Sequence, residues 1–321
     1  MNLLHYCLSV LSLRDTTTPM HKRILTLSAC GLLCLNAAMA QNKGILPISG
    51  MHYTKDGVWA KSIDVKIDGN LLLGNRIPYN KEVEISLTEP TGFTPDKKKN
   101  IYIGAEYTLL SAKGEPLLNN PNLFLLQEST GFAPKDTKNV SMKFGIPEDM
   151  IRVNGTGTVR LRIFDLKGKN QLMLDFPLSI ARPREPVQVT KVLNAIKTPP
   201  GSMLAVGGLK VKGMTYSVDT TIKVDPKMAY MSVQIQNIEG TNLMGIFSGK
   251  DNFTVYDGDF QEIKINDILL KEVKGQLENE NVSLMLKIPY KLKADPPKPC
   301  TIRFRWESAD KSQVIDAVVT K

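Results

Sequence analysis

Thr158-Val159-Arg160-Leu161-Arg162-Ile163-Phe164 alternates polar and apolar side chains as far as Ile163, and Thr301-Ile302-Arg303-Phe304-Arg305-Trp306 follows it type for type. A period of two puts the apolar members on one face of a β-strand and the others on the opposite face. Trp306 holds one of the inward positions. The same alternation returns in Ser62-Ile63-Asp64-Val65-Lys66-Ile67-Asp68 and in Glu82-Val83-Glu84-Ile85-Ser86-Leu87. The intervening charges of these runs face water, as in antiparallel sheets with one wet side. Turn signals separate the runs: Asp68-Gly69-Asn70, Lys113-Gly114, Asn154-Gly155, Lys167-Gly168 and Asp257-Gly258. Helical periodicity is weak throughout; its best candidate, Asp267–Lys274, is short.

The two opening runs belong to a longer correspondence. Val140-Ser141-Met142-Lys143-Phe144-Gly145-Ile146-Pro147 aligns with Val282-Ser283-Leu284-Met285-Leu286-Lys287-Ile288-Pro289. Thr158 comes 18 positions after Val140, and Thr301 comes 19 after Val282. Lys169-Asn170-Gln171-Leu172 then matches Lys311-Ser312-Gln313-Val314, and upstream Val65-Lys66-Ile67-Asp68-Gly69 matches Leu209-Lys210-Val211-Lys212-Gly213. The sequence therefore predicts an all-β protein of two tandem antiparallel β-sandwich domains, residues 41–183 and 184–321, after a leader at 1–40. Prolines 183 and 186 in Ala181-Arg182-Pro183-Arg184-Glu185-Pro186 stiffen the joint. This architecture resembles the tandem immunoglobulin-like or fibronectin-type modules of bacterial (Bacteroidetes-type) envelope proteins. That resemblance implies an Ig-like fold and a place in the envelope.

The leader has three parts. Met20-His21-Lys22-Arg23 is basic, Ile24–Leu35 is apolar, and Asn36-Ala37-Ala38-Met39-Ala40 ends in small residues, which is the pattern of a secretory signal peptide. Cleavage after Ala40 leaves Gln41 first. The signal reads best from Met20, so both Met1 and Met20 stand as starts. Leu27-Ser28-Ala29-Cys30 is the rival reading, a lipobox that would put a lipid on Cys30. Either way export is expected, to the periplasm or the cell surface. The apolar run is too short to span ~30 Å of hydrocarbon as a helix.

The whole chain has 321 residues and a formal charge of +9; without residues 1–40 it has 38 basic and 31 acidic residues, or +7. It then keeps one cysteine, Cys300, and one histidine, His52. An internal disulfide, a multi-ligand zinc site, a Gly-x-Ser-x-Gly hydrolase and Cys-His catalysis are all short of residues. Neither a Walker loop nor Gly-x-Gly-x-x-Gly is present, so no cofactor is expected. Carboxylate-pair or Ser-Lys chemistry is left standing, and a carboxylate pair predicts a deep cleft between the domains holding two acids ~5–10 Å apart.

What remains is recognition. The expectation is a non-enzymatic binding or assembly module that contacts another envelope or surface protein through an exposed edge strand or loop tips. The alternative is a carbohydrate-binding accessory protein with Trp59, Tyr53 and Tyr79 as a stacking platform. Asp96-Lys97-Lys98-Lys99-Asn100 reads as a solvated loop, or as a contact for anionic lipid headgroups or acidic polysaccharide. Nucleic acid is not expected, because export and the lack of interleaved aromatics both argue against it. Asp257-Gly258-Asp259, with Asp251 and Asn252 nearby, reads as a turn, with Ca²⁺ as its rival. Gly92-Phe93-Thr94-Pro95 and Gly131-Phe132-Ala133-Pro134 read as loops with a Phe anchor. Asp219-Thr220-Thr221 resembles the short O-glycosylation acceptor of Bacteroidetes-type bacteria, with Thr220 as the modified residue.

Overall fold

Alternation becomes register in the strand Thr156–Asp165. Gly157, Val159, Leu161, Ile163 and Asp165 are buried, while the residues between them are half-buried or exposed. The computed structural model describes residues 42–147, 149–196, 201–208, 211–217, 228–238, 253–263, 272–278, 281–289 and 301–320. Over these residues the protein is all-β, and the chain from Asn42 to Lys321 holds together as one compact unit.

Four sheets carry the structure, and their strand orders are as follows. Sheet A runs Lys43–Ile45, His52–Asp56, Gln171–Ile180, Thr156–Asp165, Ile103–Ser111, Pro116–Asn120, with Arg76–Ile77 added parallel to Gln171–Ile180. Sheet B runs Val189–Thr190, Asn70–Leu72, Ser62–Ile67, Val83–Thr88, Asn139–Phe144. Sheet C runs Leu193–Ile196, Ser202–Gly207, Val314–Thr320, Thr301–Glu307, Phe253–Tyr256, Glu262–Ile263. Sheet D runs Val211–Ser217, Met228–Ile238, Asn281–Pro289, Glu272–Glu278. Apart from the short Arg76–Ile77 addition, all the pairings within these orders are antiparallel.

Sheets A and B face each other across one core, in a sandwich-like arrangement. Leu161, Ile163, Leu174, Phe176 and Leu109 from one side meet Val83, Ile85, Leu87, Val65 and Met142 from the other, all almost fully buried. Burying a large aliphatic or aromatic side chain stabilises by roughly 1.5–3 kcal/mol, so this layer dominates the energetics. Asp68 and Gly69 close the hairpin between Ser62–Ile67 and Asn70–Leu72. Both have positive φ (48° and 76°), as a two-residue type I′ turn requires. Phe93 and Phe132 pack against the core from their loops. Trp306 is buried beside Phe304 and Ile302 on the inner face of its strand.

Two expectations shift. Residues 272–274 of the helical candidate lie in the strand Glu272–Glu278, where Val273 and Leu277 fall on alternate positions; its first five residues lie outside the described residues. The hairpin register also moves one of the sequence matches. Phe164 pairs with Gln171 and Glu307 pairs with Val314, so Gln171 stands in the place of Val314, one residue from the matched Gln313. Sheet B reaches past the proline joint, since Val189–Thr190 pairs with Leu71 and Leu72.

Candidate functional site

The loop Leu46–Met51 joins the first two strands of sheet A and lies against sheet C. Ile48 in that loop has φ of 70°, a left-handed conformation that a β-branched side chain adopts only under constraint. The constraint comes from sheet C. Asp316 Oδ2 accepts the Ile48 N–H at 2.7 Å, and Arg305 Nη1 donates to the Ile48 carbonyl at 2.8 Å. Both sides of one strained residue are thus held by side chains from the far end of the chain.

Asp316 is fully buried and lies between two arginines. Arg303 donates to it through Nε at 3.0 Å and Nη2 at 2.6 Å, and Arg305 through Nη1 at 3.0 Å. Arg305 also reaches the Leu73 carbonyl at 3.4 Å and Glu307 Oε1 at 2.6 Å. Burial opposes ionisation of Asp316, yet the arginines and the Ile48 amide hold its carboxyl below the usual range. Arg303 is raised by the same pairing, against the pull of burial. Ile48 and Leu73 close the contact from one side, with Ala205, Val314 and Leu193 on the other.

Beside this joint lies a cleft of about 620 Å³. His52, Tyr256 and Phe260 form its aromatic wall, with His52 stacked on Phe260 at 4.7 Å and edge-on to Tyr256 at 6.2 Å. Phe260 sits at φ 58° in the turn after Asp257, where glycine is the ordinary occupant. The turn spends its own carboxylate: Asp257 Oδ1 accepts the amides of Asp259 and Gln261, each at 2.9 Å. Asp251 and Asn252 lie outside the described residues. Burial lowers the His52 pKa, Asp175 opposes that, and Arg303 adds to it.

Two of the three carboxylates that line the cleft, Glu185 and Glu307, are committed to arginines; Glu262 is the third. Arg76 grips Glu185 through Nε and Nη2, both at 2.6 Å, and this pushes the Glu185 carboxyl down to about 2. Glu307 is tied to Arg305. A general acid needs the opposite shift. Asp64, which burial raises, lines a separate 270 Å³ pocket and is the one acid among its lining residues. Among the described residues no three His, Cys, Asp or Glu side chains come together as a metal site.

Tyr53 and Trp59 meet at 4.8 Å, with Lys55 Nζ 5.3 Å above the Trp59 ring. Tyr53 is buried and its hydroxyl is pushed up to about 12 by burial; Trp59 and Tyr79 are half-buried against the same core. Ala40, Gln41, Cys30, Thr220 and Cys300 lie outside the described residues.

Two surfaces are more open. The strand Pro116–Asn120 ends sheet A and every residue of it is exposed, Leu117 and Leu118 included. Its register slips at Leu109/Leu110, a bulge that loosens the pairing on that side. The lysine loop folds on Asp96, whose Oδ1 accepts the amides of Lys98 and Asn100 and whose Oδ2 accepts the Tyr102 hydroxyl. Lys97, Lys98 and Lys99 stay exposed.

No family model and no curated protein matches the chain. Among solved structures, the C-terminal domain of wzt is similar at 8% identity and a TM-score of 0.30, over 46% of this chain and 89% of that one. A likeness this loose carries no functional weight. No helix of the described residues is long and apolar enough to cross a membrane.

Proposed function

We propose that the protein is an exported, non-enzymatic binding or assembly module of a bacterial cell envelope, built as two tandem Ig-like sandwiches and acting through protein–protein contacts. The carrying observation is the edge strand Pro116–Asn120, exposed along its whole length with two leucines uncovered. An edge offers unpaired main-chain donors and acceptors that an extended partner segment completes. Pro116 and Pro121 bracket it, which limits pairing to a few residues and favours a specific strand over open-ended stacking.

The tandem reading is supported by connectivity. Sheets A and C share one plan: two successive strands at one edge, then the final hairpin in reverse order, then a further pair. Export is supported by the signal-peptide pattern with its cut after Ala40, close to where the compact unit begins at Asn42.

The test is site-specific photo-cross-linking in intact cells from position 118, with position 160 on the same sheet as a control, followed by mass spectrometry. An envelope protein joined in stoichiometric amount from 118 alone, and lost when Leu117→Lys is added, is the expected result. No protein adduct from 118 overturns the reading. A glycan adduct points to the carbohydrate-binding alternative. The same spectra read the mature terminus, Gln41 or a lipidated Cys30.

A further inference from the structure

Leu123-Phe124-Leu125-Leu126 is an apolar run that the fold splits in two. Phe124 enters the core and meets Phe132 edge-on at 5.1 Å, and Leu123 packs beside it. Leu125 and Leu126 point out in the short 3₁₀ turn Leu125–Gln127, at 68% and 86% exposed. The turn is fixed in place: the Leu123 amide donates to Ala105, the Gly131 amide to Gln127, and Phe132 is bridged in both directions to Ile101. Two neighbouring leucines held outward by a well-anchored segment are an uncommon surface feature.

The lysine loop lies next to them, since Ile101 follows Asn100 directly. The hairpin turn after Asp165 joins the same end. Lys167 Nζ sits 4.5 Å above the Tyr102 ring, the Leu166 amide donates to Tyr102, and Tyr102 itself donates to Asp96. Lys135 comes three residues after Phe132. Lys97, Lys98, Lys99, Lys135, Lys167 and Lys169 are all exposed, and among the described residues no carboxylate pairs with any of them. The acids of this end are Asp56, Asp96, Glu128, Asp136 and Asp165; Asp96 and Asp165 are spent inside the loops, on backbone amides and the Tyr102 hydroxyl, so six lysines face three open carboxylates. The first half's Arg76, Arg160 and Arg162, by contrast, are each in an ion pair.

We propose that this end of sheet A docks on an anionic bilayer, with Leu125 and Leu126 entering the interface and the lysine loops lying over the headgroups. Charge complementarity selects the occupant. Unpaired lysines drawn from three loops form a spread of point charges with no pocket and no bidentate fork, which suits a diffuse anionic surface better than a discrete ligand. The two leucines add the apolar insertion that a soluble polyanion would leave unused. The inference stands apart from the edge-strand reading, because the two use different residues.

Vesicle flotation tests it, using the Asn42–Lys321 unit with phosphatidylglycerol/phosphatidylcholine vesicles, pure phosphatidylcholine vesicles and soluble dextran sulfate as probes. Binding to the anionic vesicles alone, weakened by salt, is expected. Lys97→Glu with Lys98→Glu and Lys99→Glu should lower partitioning at least about tenfold. Leu125→Ser with Leu126→Ser should lower it by about the same factor, with melting temperature unchanged in both variants. Leu118→Lys should leave it untouched. Failure to float with anionic vesicles overturns the proposal. So does equal capture by dextran sulfate with no effect of the leucine pair, which would mark a site for soluble polyanions.

Discussion

Two hairpins with the same Arg-x-Arg strand live in opposite surroundings. In Thr156–Asp165 and Gln171–Ile180, Arg160 pairs with Asp175 across the strands at 2.7 Å, with the arginine exposed and the carboxylate half-buried. In Thr301–Glu307 and Val314–Thr320, Arg303 and Arg305 converge on Asp316, which is wholly buried. The chemistry is the same; what differs is the cover. Loop Leu46–Met51 and Leu73 lie across the outer face of the second hairpin, while the first keeps that face wet. An ion pair in water contributes little, because solvent competes for both partners and order costs entropy. A buried one is expensive to break, since the survivor is left charged and unsolvated.

The largest effect should separate the two. Asp316→Ala takes the carboxylate from the largely covered Arg303 guanidinium and from the Ile48 amide, and one of several partners from Arg305, and should cost about 3–5 kcal/mol in urea unfolding. Asp175→Ala in the matching hairpin should cost under about 1 kcal/mol. Equal losses would break the comparison.

Protonation of His52 should come next. Its pKa is lowered in the folded state, so the unfolded chain binds the proton more readily. The stability tied to neutral His52 is complete above the unfolded pKa of about 6.5 and is lost as pH falls from there towards the lower folded value. The difference in stability between pH 7 and pH 5 should shrink in His52→Gln, and the change should be read against Phe260→Ala, which removes the stacked ring. Glu185 titrates far lower and leaves this window flat.

The smallest effect sharpens the picture at the hairpin turns. Lys311 has φ of 57° in the second turn, a left-handed position for an exposed side chain. Lys311→Gly should raise stability by up to about 1 kcal/mol, visible as a small rise in melting temperature. A loss would mean that the lysine makes a contact worth more than its backbone strain.

The core strands were legible because alternation and one-sided burial are the same fact seen twice. Ser62–Ile67, Val83–Thr88 and Thr156–Asp165 lie where their patterns put them. Pro116–Asn120 carries no alternation, for neither of its faces is buried. The joint was hidden for a different reason. Arg303 and Arg305 look like the wet side of a strand, and only the far loop that covers them reverses this. One signal was present: Val314-Ile315-Asp316-Ala317-Val318-Val319 is apolar on both faces except at Asp316. A strand buried on both sides cannot keep a lone carboxylate without cationic partners, and Arg303 and Arg305 stood one hairpin away.

The bond from Asp316 to Ile48 spans 268 residues, and this sets an order of events for a chain that emerges N-terminus first. Its early strands can pair as soon as Ile180 is out, but Ile48 has no reason to hold its left-handed form until the last strand arrives. The loop Leu46–Met51 therefore completes its fold only when synthesis is nearly over, and a chain cut short before Asp316 leaves that loop open as a mark of incompleteness.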